Sequence, residues 1–197
     1  MPGSEFGRPP QELTARIAYV DFDGRRALDA LSAGKHVVSD KPLCTRLDEL
    51  DAIEAFAAER RLSVVCMLDM RDGPPTITAR ALIQQGAIGE VMATFVVGDA
   101  NKPESYWTGG YSGRVQTEWR KSRAQAGGGI LIMNYIYDVY RLRYVTGMEV
   151  TRVYAEYDTY RTDVEVEDFI AMTMRFENGA LGTIMASSCA PGARKSG

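Results

Sequence analysis

The stretch Ala33-Gly34-Lys35-His36-Val37-Val38-Ser39-Asp40-Lys41-Pro42 decides the fold of the first part of the chain. A helical run begins at Arg25 and stops at Gly34, a residue suited to the left-handed conformation just past a helix end. Residues 36–39 predict a short buried strand, and Lys41-Pro42 predicts a turn. The stretch therefore joins a helix to a strand and then to a turn at Lys41-Pro42.

The next residues continue this pattern with a helix and a second strand. Thr45 and Asp48 resemble a capping box, and the apolar spacing that follows predicts a helix to about Arg61. Residues 62–68 form an apolar, β-branched run that favours a strand covered on both faces, as in a parallel sheet. We therefore predict a βαβ unit.

The second half of the chain has a different texture. After a predicted helix at about 76–85, which ends the first half, it contains a strand, a long polar loop rich in aromatic residues, and a helix of about 17 residues that starts after Gly127-Gly128-Gly129. Three strand-like runs follow, and Asn178-Gly179 is a strong hairpin signal between the last two. We expect an α+β fold, a βαβ segment followed by an open antiparallel sheet with packed helices. The expected strands of the second half are 91–97, 151–157, 169–176 and 180–186.

Composition limits the classes of function. The chain has 197 residues, a formal net charge of -3 and 45% hydrophobic residues, so bulk charge gives no reason to expect nucleic acid or an anionic membrane as partner. No apolar run approaches the roughly 20 residues of a membrane helix, so we expect a cytoplasmic protein. Residues 1–6 resemble translated cloning sites. Three cysteines without CxxC spacing indicate neither a disulfide framework nor a zinc site.

Several ordered motifs carry a family resemblance. Residues 33–42 resemble the AGKHVxxEKP signature of the Gfo/Idh/MocA oxidoreductases, the glucose-fructose oxidoreductase and inositol dehydrogenase type, with Asp40 in place of the usual Glu. The family's other elements occur in the expected order. They are R-x-x-P at Arg71 and Pro74, GAIGxV at 86–91, Trp119-Arg120, the glycine triplet with Ile130-Leu131, Val166-Glu167-Asp168, and Asn178-Gly179.

The resemblance implies a nicotinamide-binding Rossmann domain followed by a substrate domain. The family's GxGxxG fingerprint lies about 70 residues before the AGKH element, because backbone amides at a helix N-terminus hold the pyrophosphate. The residues before Ala33 contain no such motif. We therefore expect a truncated family member that does not bind NAD(P) alone. Its expected segments are a leader at 1–24, a Rossmann-like βαβ segment at 25–88, a substrate and dimerisation domain at 89–190, and a disordered tail at 191–197.

The resemblance also suggests site residues. Lys41 matches the family's catalytic lysine, and Asp40 with Lys41 would meet the cofactor. Tyr137 and Tyr140 stand where one branch of the family has the His and Asp that flank the substrate, and Asp168 matches a position near the cleft. A tyrosine, whose ordinary pKa is about 10, is a poorer general base near neutrality than a histidine, but it can donate a hydrogen bond.

The residues themselves leave alternatives open. Met133, Tyr137, Tyr140 and Tyr144 share one helix face by their spacing, which a core or dimer stripe would explain equally well. Cys44 is the better nucleophile candidate, since a helix start nearby would lower its pKa. His36 is the single histidine and cannot supply a metal centre unaided, so we predict no metal site.

Three functions follow from these residues. The first is an oxidoreductase derivative that works on a small molecule when the dinucleotide site is supplied from elsewhere. The second is a cofactor-independent hydrolase of activated esters or phosphate triesters, in which Lys41, Tyr137, Tyr140 and Asp168 line the exposed cleft. The third is a non-catalytic homodimer held through its sheet.

Overall fold

The computed structural model describes residues 24–68, 73–110, 113 and 116–190. The chain divides into two compact units between Met67 and Leu68. This division falls earlier than the domain boundary expected after residue 88, because the helix that starts at Pro74 packs against the long helix of the second half. The predicted leader, apart from Gly24, and the predicted tail lie outside the described residues, as does Arg71.

The first unit contains the predicted βαβ arrangement. Its two strands pair in parallel, with Val37 opposite Val64, which confirms the expected crossover. A small core forms where the helices cover one side of the strands, and Leu31 and Ile53 are fully buried there. The elements are α1 (Gly24–Ser32), β1 (Val37–Ser39), α2 (Leu47–Arg60) and β2 (Val64–Cys66).

Two local predictions for this unit are wrong. The residue that precedes α2 is Arg46, and no side chain caps the helix, so the capping box of Thr45 and Asp48 is not formed. Asp48 lies in the first turn and accepts hydrogen bonds from the Arg46 guanidinium instead. The two strands are also not covered on both faces, because Val38 is 50% and Val65 49% exposed.

The second unit contains helices packed on a four-stranded sheet. Its long helix begins with a π-helical turn, which we call the π segment (Leu131–Tyr135), and continues as an α-helix. The region predicted as an aromatic loop contains two short helices, with Trp107 and Trp119 buried. The remaining elements are α3 (Pro74–Gln84), β3 (Ala93–Asp99), α4 (Glu104–Gly109), α5 (Arg123–Ala126), α6 (Ile136–Thr146), β4 (Val150–Asp158), β5 (Phe169–Phe176) and β6 (Leu181–Ser187).

The sheet has the strand order β3-β6-β5-β4 and is mixed. β4, β5 and β6 pair antiparallel, and the turn at Asn178-Gly179 joins the last two as predicted. β3 pairs with β6 in parallel, which the expectation of an antiparallel sheet missed. The physical reason is the helical connection after β3, since a crossover of this kind returns the chain in the same direction.

One face of the sheet forms the main core. Alternate residues of β5 and β6 point toward the long helix, which gives each strand its inward apolar positions. The buried residues of this cluster are Ile130, Met148, Ile170, Met172, Met174, Phe176, Ala180, Ile184 and Ala186. In the part of the chain that the structure describes, no helix is both long and apolar enough to cross a membrane.

Candidate functional site

The start of the long helix is built around the glycine triplet. Gly127 ends α5 with a positive φ of 76°. A Cβ on Gly129 would overlap the backbone carbonyl oxygen of Glu167 and lie 2.8 Å from its carbonyl carbon. The buried Glu167 carboxylate accepts hydrogen bonds from the backbone N–H groups of Gly129 at 2.8 Å and Leu131 at 3.2 Å. Glu167 therefore satisfies the N–H groups that a helix start leaves without partners.

The π segment changes the direction of the next side chains. A π turn holds more residues than an α turn, so the residues before Ile136 are rotated relative to those of α6. Tyr135 lies against Gly98 of β3, and a Cβ on Gly98 would overlap the hydroxyl group of Tyr135. The neighbouring residue Asn134 meets Lys102, which follows β3. The segment thus presents a polar group at the end of the sheet.

Lys102 is a buried cation that the sequence interpretation did not single out. Its side chain is 2% exposed. The ammonium donates a hydrogen bond to Asn134 Oδ1 and lies 4.0 Å from the centre of the Tyr106 ring. Such a contact with the negative face of an aromatic ring stabilises a desolvated cation. A lysine between a strand and Pro103 carries no motif, so only the three-dimensional contacts identify it.

The tyrosine face of the helix divides into two parts. Met133 is buried, whereas Tyr137, Tyr140 and Tyr144 are half-buried. The rings of Tyr140 and Tyr144 stack with centres 6.5 Å apart, and the Arg80 guanidinium lies 4.3 Å above the Tyr144 ring. The C-terminal part of this face is therefore a packing surface for α3. The proposed catalytic roles of Tyr137 and Tyr140 stay predictions.

Asp168 is enclosed by its own loop. Its carboxylate accepts hydrogen bonds from the backbone N–H groups of Tyr160, Arg161 and Thr162 and from the Thr162 hydroxyl, at 2.8 to 3.1 Å. Burial pushes the pKa of this carboxyl upward, but these hydrogen bonds to the charged form together hold it below its ordinary value. The contacts make Asp168 an anchor for the loop after β4 and give its predicted catalytic role no support.

The other predicted site residues lie in the first unit. Asp40 is exposed, and its Oδ1 accepts a hydrogen bond from the backbone N–H of Lys41. Lys41 is half-buried.

Burial raises the pKa of the Cys44 thiol, and Asp48 and Glu49 of the helix start add to the rise. The expectation that a helix start would lower this pKa is wrong, because burial of the thiol raises it and the acidic first turn of α2 adds to that rise. His36 Nδ1 accepts a hydrogen bond from the Ser63 backbone N–H, which indicates a structural role.

The start of helix α2 does not fit the diphosphate of a dinucleotide. A helix N-terminus binds phosphate through its open N–H groups and its positive dipole end. After β1, however, residues 40–46 contain no glycine, and α2 opens with Asp48 and Glu49. These carboxylates would repel a diphosphate. Among the described residues there is also no group of three or more His, Cys, Asp or Glu side chains that could hold a metal ion.

The second unit also has a groove between α3, β3 and α6. It has a volume of about 380 Å³. Its walls are mostly apolar, with Phe95 and Leu142 among the lining residues, and the ion pair of Asp138 and Arg141 supplies its main polar groups. Such a groove has the size of a small-molecule site.

Comparison with known proteins places this architecture in a family. Residues 76–196 match the model of the GFO/IDH/MocA C-terminal domain. A levoglucosan dehydrogenase from Pseudarthrobacter phenanthrenivorans is 26% identical, over 84% of this chain and 46% of that protein. A 1,5-anhydro-D-fructose reductase from Ensifer adhaerens is 29% identical, over 79% of this chain and 44% of that protein. The chain thus spans about half the length of the curated relatives it matches.

Solved structures show the same fold. The WlbA dehydrogenase from Bordetella pertussis, in complex with NADH and UDP-GlcNAcA, superposes with a TM-score of 0.77 at 24% identity, over 86% of this chain and 50% of that one. An inositol dehydrogenase homolog from Azotobacter vinelandii, complexed with NAD+, gives 0.78 at 20% identity, over 97% of this chain and 54% of that one. The ordered motifs, the mixed sheet with its long helix and the family-model match agree, and the chain belongs to the Gfo/Idh/MocA family of oxidoreductases.

Proposed function

We propose that this chain supplies the sugar-binding part of an NAD(P)-linked oxidoreductase. The observation that carries the proposal is the match of residues 76–196 to the family's C-terminal domain. The diphosphate of the dinucleotide would be held by groups other than the start of α2, since the acidic first turn of that helix opposes a diphosphate. When bound, NAD(P) would accept or donate the hydride, while residues of this chain would hold the sugar.

The relatives suggest the class of substrate. Levoglucosan and 1,5-anhydro-D-fructose, which two of them are named for, are cyclic sugars with several hydroxyl or carbonyl oxygens. On the long helix, the half-buried Tyr137 and Tyr140 offer phenol groups that donate hydrogen bonds to such oxygens. Lys41 is the lysine that the family resemblance assigns to the reaction, and that role stays a prediction.

Calorimetric titration of the purified chain tests this proposal. Levoglucosan and 1,5-anhydro-D-fructose are titrated separately, with tetrahydropyran as a ring of similar size without hydroxyl groups. We expect saturable binding of at least one sugar and none of tetrahydropyran. NADH is titrated by fluorescence, and we expect no dissociation constant below about 1 mM, the regime of weak binding. Absence of binding by both sugars would refute the proposal.

We also propose that the chain forms a homodimer through the outer face of its sheet. The register places Phe95 beside Thr183 and Val97 beside Met185, so these side chains share the face opposite the core. Phe95 is 77% and Val97 71% exposed, and Leu181 and Met185 are exposed as well. A contiguous apolar patch of this kind is typical of an interface. A second copy fits it, because a two-fold axis brings identical patches together.

No observation favours the hydrolase alternative. It requires the Asp168 carboxylate to line a cleft and act on a substrate. That carboxylate is instead enclosed by the loop that it anchors. The hydrolase function therefore stays a prediction without support from the site.

A further inference from the structure

The side-chain amide of Asn134 in the π segment has a fixed orientation. Its Oδ1 accepts a hydrogen bond from the Lys102 ammonium. An ammonium group has three donors and no acceptor, so it must face the oxygen of the amide and not its nitrogen. The two N–H groups of Asn134 Nδ2 consequently point away from the lysine.

Lys102 is held firmly enough to impose this orientation. Its side chain is buried, and its ammonium lies over the ring of Tyr106. Its backbone N–H donates to the Ser188 carbonyl at 3.1 Å, and the preceding residue, Asn101, forms a β-bridge with Cys189. The lysine is therefore fixed at both its backbone and its charged end, and Asn134 cannot turn its amide without losing a charge-assisted hydrogen bond.

The outward end of this amide is open to a ligand. Within the described residues, Asn134 Nδ2 makes no hydrogen bond with the protein, and the residue is half-buried, not enclosed. The positive charge next to Oδ1 polarises the amide and makes its Nδ2 N–H groups stronger donors. Hydrogen bonds in a protein interior, where the effective dielectric constant is low, strengthen one another in this way.

We infer that Asn134 binds an acceptor oxygen of the sugar, and that Lys102 is the positioning residue that keeps its Nδ2 donors outward. The ligand group is a hydroxyl, ring or carbonyl oxygen, because the presented group can only donate. This inference rests on the proposed function for the class of ligand. The identity of the binding group rests on the contacts of Asn134 and Lys102 alone.

Nuclear magnetic resonance of the full ¹⁵N-labelled chain tests the inference, with levoglucosan and 1,5-anhydro-D-fructose as probes. The side-chain N–H pair of Asn134, assigned by its disappearance in Asn134→Asp, should shift saturably on addition of sugar. The pair of Asn178, whose Nδ2 already donates to the Val91 carbonyl at 3.1 Å, is the internal control and should not move.

Two variants separate binding from stability. Asn134→Asp pairs a carboxylate with Lys102 and turns an acceptor outward. The sugar should bind at least about tenfold more weakly, a loss of about 1.4 kcal/mol, while Tm stays equal or rises. Lys102→Met leaves the amide free to flip and should weaken binding by a smaller factor.

The outcomes distinguish this inference from the proposed function. If a sugar binds but the Asn134 resonances do not move, or if Asn134→Asp keeps full affinity, the inference is wrong and the proposed function stands. If neither sugar binds, both are wrong. A shift at Asn134 together with weakened binding in Asn134→Asp supports the inference, whatever redox activity the chain has.

Discussion

At the N-terminal end of the long helix, Gly129 packs directly against the backbone of Glu167, and this contact is possible only because glycine has no Cβ. The backbone of Glu167 lies where any larger side chain would stand, and the Glu167 carboxylate caps the helix from the same position. The third glycine of the triplet is thus required by contact with a distant residue. The sequence shows the triplet and the Glu167-Asp168 pair as separate motifs, and only the fold reveals that they are one contact.

Replacing Gly129 by Ala should destabilise the second unit by about 3 kcal/mol or more, because backbone atoms on both sides must separate. Urea denaturation followed by circular dichroism measures this change. Gly128→Ala is the matched control, since its Cβ would meet the Ile132 side chain at 3.2 Å, which can shift. A Gly129→Ala variant as stable as Gly128→Ala would contradict this role for the residue.

Asp168 should make the free energy of unfolding depend on pH in the acidic range. The pKa of its carboxyl is lowered in the folded chain, so the folded state favours the charged form. Its contribution is complete above the ordinary aspartate pKa of about 4 and is lost as pH falls through the lower folded-state value. Asp168→Asn should lower the free energy of unfolding by about 1–3 kcal/mol at pH 7, because an amide has one acceptor oxygen fewer.

The difference between wild type and Asp168→Asn should shrink in acid, which denaturation curves at neutral and strongly acidic pH measure. Asp163→Asn changes an exposed carboxylate of the same loop and is the control. It should alter stability by less than about 0.5 kcal/mol at either pH. An Asp168→Asn penalty that is the same at both pH values would contradict the assigned role of the charge.

At the scale of elements, α3 is attached to the long helix by an arginine. The Arg80 guanidinium covers the Tyr144 ring and donates a hydrogen bond to the Tyr144 carbonyl oxygen. This one side chain therefore covers the apolar face of the Tyr144 ring and donates to a carbonyl oxygen near the end of α6. Such a double contact explains why α3 belongs to the second compact unit.

Arg80→Ala should destabilise the second unit by about 1–3 kcal/mol, and Arg80→Lys by less, because a lysine keeps the charge but not the planar stacking. Hydrogen exchange of the α3 amides reports the loss directly. In Arg80→Ala these amides should exchange faster than in the wild type, whereas the rates of the β5 amides should change less. Arg60→Ala is the control. Its guanidinium also lies over an aromatic ring, that of Phe56, but it is exposed, so little stability should be lost. Unchanged α3 protection in Arg80→Ala would contradict this assignment.

The elements show which features a sequence can predict. Gly34, Gly86 and Gly147 mark helix ends where a positive φ is needed, and Asn178-Gly179 marks the β5–β6 turn. These signals are local, so they were predicted. The π segment was not, because the spacing of Met133, Tyr137, Tyr140 and Tyr144 in the sequence is also that of a continuous α-helix. The parallel pairing of β3 with β6 was also missed, since pairing between distant strands has no local signature.

At the scale of the molecule, the family motifs predicted the fold but not the roles of their residues. The resemblance placed Tyr137, Tyr140 and Asp168 near one cleft, yet the loop after β4 encloses Asp168 completely. Conversely, Lys102 and Asn134 emerge as a polar pair because the π segment and the end of β3 meet. Burial and hydrogen-bond partners, which depend on residues far apart in sequence, decide these roles.

The exposed outer face of the sheet should hold two copies of the chain together. Sedimentation velocity over a range of concentrations should show a dimer for the wild type. The double variant Phe95→Ser and Val97→Ser should shift the equilibrium toward monomer by at least about tenfold, since each substitution removes apolar surface from both copies. Val38→Ser, an exposed valine on the strand β1 of the first unit, is the matched control and should leave the dimer unchanged. A wild type that stays monomeric at every concentration would contradict the proposed interface, and loss of the dimer in Val38→Ser would place the contact in the first unit instead.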